Sequence, residues 1–147
     1  MQLDQKLVVI TGSGRGIGRA IAVAFAQKRA NLALLDLNAA DLDETRSQCE
    51  AFGVQAKSYL CNVASEEAVS GTLDEVVKDF GRLDVMINNA GITKDALLVK
   101  VQDGKVVGKM SLQQWQAVID VDLTGVFLGA REAAARMISL GNGGVII

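Results

Sequence analysis

The sequence predicts an α/β fold, a doubly wound parallel sheet with helices on both faces. Three observations predict it. Short, nearly continuous apolar runs (Leu7-Val8-Val9-Ile10, Leu32-Ala33-Leu34-Leu35, Leu83-Asp84-Val85-Met86-Ile87) alternate with segments of helical periodicity, as strands buried on both faces should. A glycine-rich string, Thr11-Gly12-Ser13-Gly14-Arg15-Gly16-Ile17-Gly18, joins the first run to the first helical segment. Asp or Asn then closes each later run, at Asp36, Asn62 and Asn88.

The elements follow in order. Leu7–Ile10 is the first strand. Ile17, Ala20, Ile21, Ala24, Phe25 and Lys28 follow at helical spacing and give the next helix a mostly apolar stripe. Residues 32–35 form a second buried strand. Residues 39–52 read as a helix whose acidic start, Asp41, Asp43 and Glu44, suits the positive helix end, and Gly53 stops it. Val54 to Leu60 is a third strand. Ser65 opens a helix with Glu66 and Glu67 in its first turn; Val69, Leu73, Val76, Val77 and Phe80 form its buried stripe, and Gly81 closes it. Residues 83–87 are the fourth strand. Asp103-Gly104 between Lys100-Val101-Gln102 and Lys105-Val106-Val107 supplies the positive φ angles of a type I′ turn, so 99–109 reads as a hairpin-like insertion. Ser111 starts a long helix, with Gln114 completing a capping box and Trp115, Val118, Ile119, Val126 and Phe127 as its apolar face. That face is wider than one sheet requires, so a homo-oligomer is expected. Gly141 to Gly144 turns into a fifth strand. One domain spans 1–147, and its open, apolar fifth strand predicts a longer protein of which this chain is the cofactor-binding half.

Composition narrows the function. Half the residues are apolar, enough for a core. A net charge of −2 gives no support for nucleic acid or an anionic membrane as partner, and no apolar run approaches a membrane span. The N-terminal residues lack a signal-peptide pattern, so a cytoplasmic setting is expected, with Cys49 and Cys61 reduced. The chain has no histidine, which excludes within it a Ser-His-Asp triad and a His-ligated metal; no metal site is expected. It also has no proline, in keeping with a chain of strands, helices and short Gly or Asn turns.

The glycine string carries the chemistry. Glycines between a buried strand and an amphipathic helix let a phosphate approach the backbone, and the helix start offers N–H groups and positive dipole; a plain connector is the competing reading. Asp36 is placed to bond the ribose hydroxyls of a dinucleotide and to repel a 2′-phosphate, favouring NAD over NADP; Leu37 follows where an arginine would assist NADP. Arg15 can reach a phosphate and keeps NADP open. Asn62-Val63 and Asn88-Asn89-Ala90-Gly91 sit at strand ends on the same edge, where ligands of open α/β sheets bind, although Asx turns would use the same residues.

Together these motifs resemble the short-chain dehydrogenase/reductase family. Its TGxxxGxG pattern matches Thr11, Gly12, Gly16 and Gly18, and its NNAG motif matches Asn88 to Gly91. Residues 88–98 and 118–127 look most like the 3-oxoacyl-acyl-carrier-protein reductases of bacterial fatty-acid synthesis. The resemblance implies a Rossmann-type sheet truncated in its fifth strand. It implies cofactor contacts at Gly12, Ser13, Arg15, Gly16, Ile17 and Gly18 in the loop, at Asp36, Leu37, Asn62 and Val63 on the adenosine side, and at Asn89, Ala90, Gly91 and Val121 beyond. It implies hydride transfer between NAD (or NADP) and a carbonyl, on a small-molecule or acyl-carrier-bound thioester.

The chain departs from the pattern in three places. The family's serine and YxxxK are absent, and the one tyrosine, Tyr59, is not in that motif, so a non-catalytic dinucleotide-binding or scaffold fragment is the alternative. Asp122 stands where the family has a catalytic asparagine. The 99–109 segment is longer than usual, and its Lys100, Lys105 and Lys109 would either attract an acidic carrier protein or form a solvated hairpin.

Overall fold

The computed structural model describes residues 2–147. Strands β1 (Leu7–Thr11), β2 (Asn31–Asp36), β3 (Ala56–Leu60) and β4 (Val85–Ile87) alternate with helices α1 (Gly16–Gln27), α2 (Ala39–Glu50) and α3 (Glu66–Phe80). A hairpin follows, β5 (Val99–Gln102) with β6 (Lys105–Lys109), then α4 (Leu112–Ile119), a π-helical turn (Asp120–Thr124), α5 (Gly125–Leu140) and β7 (Val145–Ile146). The main sheet is parallel throughout, in the order β3-β2-β1-β4-β7. The order reverses at β1, so a crevice opens between the carboxyl ends of β1 and β4; this is the Rossmann arrangement and its usual ligand position.

Two clusters of apolar side chains cover the two faces. Leu7, Val9, Ala33, Leu35 and Met86 pack with α3 and α5, while Val8, Ile10, Leu32, Leu34 and Ile87 pack with α1 and α2. Alternate residues of one strand thus serve opposite layers, which explains why β1 and β2 are continuously apolar. At the amino-terminal edge, Asp84 is buried and laces β4 to β1. Its carboxylate accepts from the Leu7 N–H at 2.8 Å and from Arg82 Nε at 2.6 Å, with Lys6 Nζ at 3.3 Å. Burial pushes its pKa up, but Arg82, the Leu7 N–H and Lys6 outweigh burial and hold it below the usual carboxylate range.

Three sequence expectations need correction. The buried stripe of α1 is Gly18, Ala22 and Ala26, flanked by Ile21 and Phe25; Ile17, Ala20, Ala24 and Lys28 face solvent. Small residues win this face because α1 lies close over the sheet, and bulk at Gly18 would strike the loop. The expected long helix is two helices joined by the π-turn. Its buried face is Gly125, Leu128, Gly129, Ala133 and Met137, whereas Trp115 and Phe127 are 55% and 57% exposed. Strands β3 and β4 also start two residues later than the apolar runs suggest, at Ala56 and Val85.

The capping chemistry matches the sequence. Ser65 accepts from the Ala68 N–H, and Ser111 with Gln114 forms a reciprocal capping box. Asp103 and Gly104 have φ of 50° and 73°, the two positive values a type I′ turn requires.

Candidate functional site

The end of β1 and the end of β4 are built as one unit. Thr11 Oγ1 accepts from the backbone N–H groups of Asn89 and Ala90, both at 3.0 Å. Asn89 returns the contact, its Nδ2 donating to the carbonyls of Thr11 (3.0 Å) and Gly12 (3.1 Å). Gly12, at φ 63°, passes so close that a Cβ there would lie 2.8 Å from Ala90 Cα. Gly18 is equally constrained: its Cβ would overlap the Gly12 carbonyl and lie 2.7 Å from Asn89 Nδ2. These glycines are required by close backbone approach rather than by flexibility.

The end of β2 holds the same loop from the other side. Ser13 donates its N–H to the Leu35 carbonyl at 3.1 Å, and the Gly14 N–H reaches Asp36 Oδ2 at 2.9 Å. The other oxygen of Asp36 accepts from the Leu37 N–H at 2.7 Å. A carboxylate at this strand end therefore organises the loop as well as facing the crevice.

The result is a cleft of about 570 Å³. Its lining gathers Gly12, Arg15, Gly16, Ile17 and Gly18 from the loop, Asp36 and Leu37 from β2, Asn62 and Val63 after β3, and Asn89, Ala90 and Gly91 after β4, with Val121 from the π-turn. Ser13 does not line it: the side chain is fully buried beneath the loop and its hydroxyl donates to the Leu35 carbonyl at 3.3 Å. A residue between two loop glycines reads as cleft-facing, and only the fold shows that this one turns inward.

Asn38, Asp41, Cys61 and Ile92 also line the cleft, beyond the residues the sequence assigns to it. Asn38 was detectable, because it caps α2 by accepting from the Ala40 and Asp41 N–H groups. Cys61 is itself buried; burial pushes its thiol pKa up, against a hydrogen bond with Thr72. Ile17 is 75% exposed at the mouth, an apolar side chain with no core to fill.

Helix starts differ in how their N–H groups are satisfied. The first turns of α2, α3 and α4 are closed by the side chains of Asn38, Ser65 and Ser111. Arg15 precedes α1 and makes no side-chain cap bond, so the first turn of α1 opens into the cleft with its N–H groups free of a side-chain acceptor.

Asp122 lies at the rim. Its Oδ1 accepts from the Ile92 N–H at 2.9 Å, tying the π-turn to the chain that leaves β4. An asparagine carbonyl could accept this bond equally. The one tyrosine is elsewhere: Tyr59 on β3 donates to Asp79 Oδ2 at 2.7 Å and does not line the cleft. Among the described residues no cluster of acidic, thiol or imidazole groups is arranged to hold a metal, and no helix is long and apolar enough to cross a membrane.

A parallel sheet with a glycine loop, an acidic β2 end and an amide-rich β4 end defines the Rossmann class of folds. Within that class the chain belongs to the short-chain dehydrogenase family, whose family model, described as "short chain dehydrogenase", matches residues 6–147. A 3-oxoacyl-[acyl-carrier-protein] reductase of Thermotoga maritima is 35% identical over 146 residues, covering 99% of this chain and 56% of that protein. A D-threitol dehydrogenase of Mycolicibacterium smegmatis is 32% identical, covering 99% and 52%. The crystal structure of an NAD+-bound xylitol dehydrogenase superposes with a TM-score of 0.86 at 35% identity, over 99% of this chain and 53% of that one. The chain thus spans about half the length of the relatives it matches.

Proposed function

We propose that this chain forms the dinucleotide-binding part of an NAD-preferring short-chain reductase. The observation that carries the reading is the pairing, in one cleft, of the uncapped start of α1 with the Asp36 carboxylate. Free first-turn N–H groups suit a pyrophosphate, and a carboxylate at the next strand end suits two ribose hydroxyls. The tight glycines supply the fit: a Cβ at Gly14 would lie 2.9 Å from Asp36 Oδ2 and from Asp41 Cβ. Arg15, Gly16, Ile17 and Gly18 would hold the phosphates, Asp36 and Leu37 the adenosine ribose, Asn62 and Val63 the adenine side. Asn89, Ala90, Gly91 and Val121 would face the nicotinamide half. When bound, the nicotinamide supplies or accepts the hydride; the chain's own part is to orient it and exclude water.

The substrate class proposed is a 3-oxoacyl thioester, free or on an acyl carrier, supported by the likeness to 3-oxoacyl-[acyl-carrier-protein] reductases. The second reading is oxidation of a polyol, supported by the relatives named for D-threitol and xylitol at similar identity. Asp122 is proposed to shape the substrate side through its bond to Ile92. A second copy of the chain is the proposed partner, covering the exposed Leu112, Trp115, Leu123 and Phe127. A cytoplasmic setting accords with these substrates.

The natural gene product should be assayed in both directions, with NADH and an acetoacetyl thioester, and with NAD and threitol or xylitol. Thioester-dependent NADH oxidation is the expected result. Turnover of polyols alone would favour the second reading, and a protein that neither binds nor turns over a nicotinamide dinucleotide would overturn both.

A further inference from the structure

We propose that Arg19 and Thr45, which do not line the cleft, are positioning residues that lock the Ser13–Gly14 backbone in its phosphate-accepting shape. The proposal rests on the dinucleotide reading above and concerns residues behind the loop.

Thr45 is fully buried on the inner face of α2. Its hydroxyl oxygen lies 3.0 Å from each of three carbonyls, those of Ser13, Gly14 and Asp41. The Asp41 contact is the ordinary bond of a helical threonine to the preceding turn. The other two reach across to a different element. A hydroxyl has one proton, so at any moment it serves one of the three. The remaining demand is met by Arg19 of α1, whose Nε donates to the Gly14 carbonyl at 3.0 Å and to Thr45 Oγ1 at 3.0 Å. Its Nη2 donates to the same Gly14 carbonyl at 2.5 Å. Glu44 holds the far side of the guanidinium, with Nη1 at 2.5 Å from Oε1.

The carbonyl of Gly14 is therefore held by an arginine that is largely buried and by a hydroxyl that is wholly so. In a planar trans peptide the N–H points opposite to the carbonyl. Fixing the Gly14 carbonyl toward α2 fixes the Arg15 N–H to the opposite side. The Gly14 N–H is meanwhile committed to Asp36. Two consecutive peptides of the loop are thus set by side chains of α1, α2 and β2, none of which needs a ligand to be in place. Such preorganisation lowers the ordering cost that a flexible glycine loop would otherwise bring to binding.

The test compares Thr45→Val, Thr45→Ser, Arg19→Leu and Arg19→Lys in the natural gene product, with NADH, ADP and adenosine titrated separately and the thermal midpoint recorded. ADP and NADH carry the pyrophosphate; adenosine does not. Thr45→Val and Arg19→Leu should weaken NADH and ADP about tenfold, the scale of one buried hydrogen bond, and adenosine by no more than about twofold. Thr45→Ser should restore NADH affinity, and Arg19→Lys, a point charge without the planar fork, should fall between. Equal weakening of all three ligands, or a lowered thermal midpoint with unchanged affinities, would mean a structural brace only and overturn the proposal. Failure of the unaltered chain to bind NADH or ADP would overturn the dinucleotide reading and this inference with it.

Discussion

Gly18 and Gly16 share the loop but should fail for different reasons. At Gly18 an alanine Cβ would overlap the Gly12 carbonyl and sit 2.7 Å from Asn89 Nδ2 and 2.8 Å from the Gly12 carbonyl carbon. Ordinary contact begins near 3.4 Å, and the overlap with the Gly12 carbonyl oxygen is the deepest of these, so the loop and α1 must separate by about an ångström or more. That displacement strains the Asn89 bonds to the Thr11 and Gly12 carbonyls. Overpacking of this kind costs about 1–3 kcal/mol, or a fall of roughly 3–9 °C in thermal midpoint for a domain of this size. The N–H groups proposed to face the phosphates move with the loop, and NADH affinity should fall by about a hundredfold. At Gly16 a Cβ meets nothing within 4 Å, and only the φ of 57° opposes it. Gly16→Ala should therefore cost about 1–2 kcal/mol of stability, yet its Cβ stands on the lining of the cleft. It should lower NADH affinity more than its stability loss implies. Differential scanning fluorimetry and NADH fluorescence titration on both variants separate the two effects. Wild-type affinity in Gly18→Ala would refute the argument that this glycine sets the loop.

Asp36→Ala removes the proposed ribose acceptor together with the bonds to the Gly14 and Leu37 N–H groups; NADH should bind about ten- to a hundredfold more weakly and NADPH should lose less, as measured by titrating both. Asp84→Asn retains the shape but not the charge facing Arg82 and Lys6. Because both cations are about a third exposed, the loss should be about 2–3 kcal/mol, read by urea unfolding. The pKa of Asp84 is depressed in the folded state, so its contribution is present above the ordinary carboxylate pKa of about 4 and disappears as pH falls below it. The Asp84→Asn variant should therefore lose less stability than the parent between pH 5 and about pH 2. Phe127→Asp, on an exposed aromatic whose ring centroid lies 5.3 Å from the Arg131 guanidinium, should convert an oligomer to monomer in sedimentation and remove the concentration dependence of the thermal midpoint; an unchanged sedimentation coefficient would exclude that face as the interface.

Much of this fold was legible because β1 and β2 are buried on both faces, and burial on both faces leaves an unbroken apolar run. The cap residues Ser65 and Ser111 were legible because a cap is a local bond between residues three apart. The facing of α1 was not, since spacing marks the large apolar residues whereas the close approach to the sheet selects the small ones, Gly18, Ala22 and Ala26. The break at Asp120–Thr124 was likewise hidden, because nothing in Asp-Val-Asp-Leu-Thr excludes an α-helix. In the site, glycines, Asp36 and the β4 amides stood out by type and position. Ser13 misled, since its inward turn depends on the Leu35 carbonyl, 22 residues away. Arg19 and Thr45 were invisible for the same reason: their partners are backbone atoms of another element.

The central claim is that the cleft between β1 and β4 takes NAD in preference to NADP. The most direct measurement is the pair of dissociation constants for NADH and NADPH with the unaltered chain at one ionic strength. The account predicts NADH the tighter by about tenfold or more, since the Asp36 carboxylate would accept from a ribose diol and would repel a 2′-phosphate. Tighter binding of NADPH would contradict it and transfer the selecting role to Arg15; binding of neither would remove the cleft's proposed function.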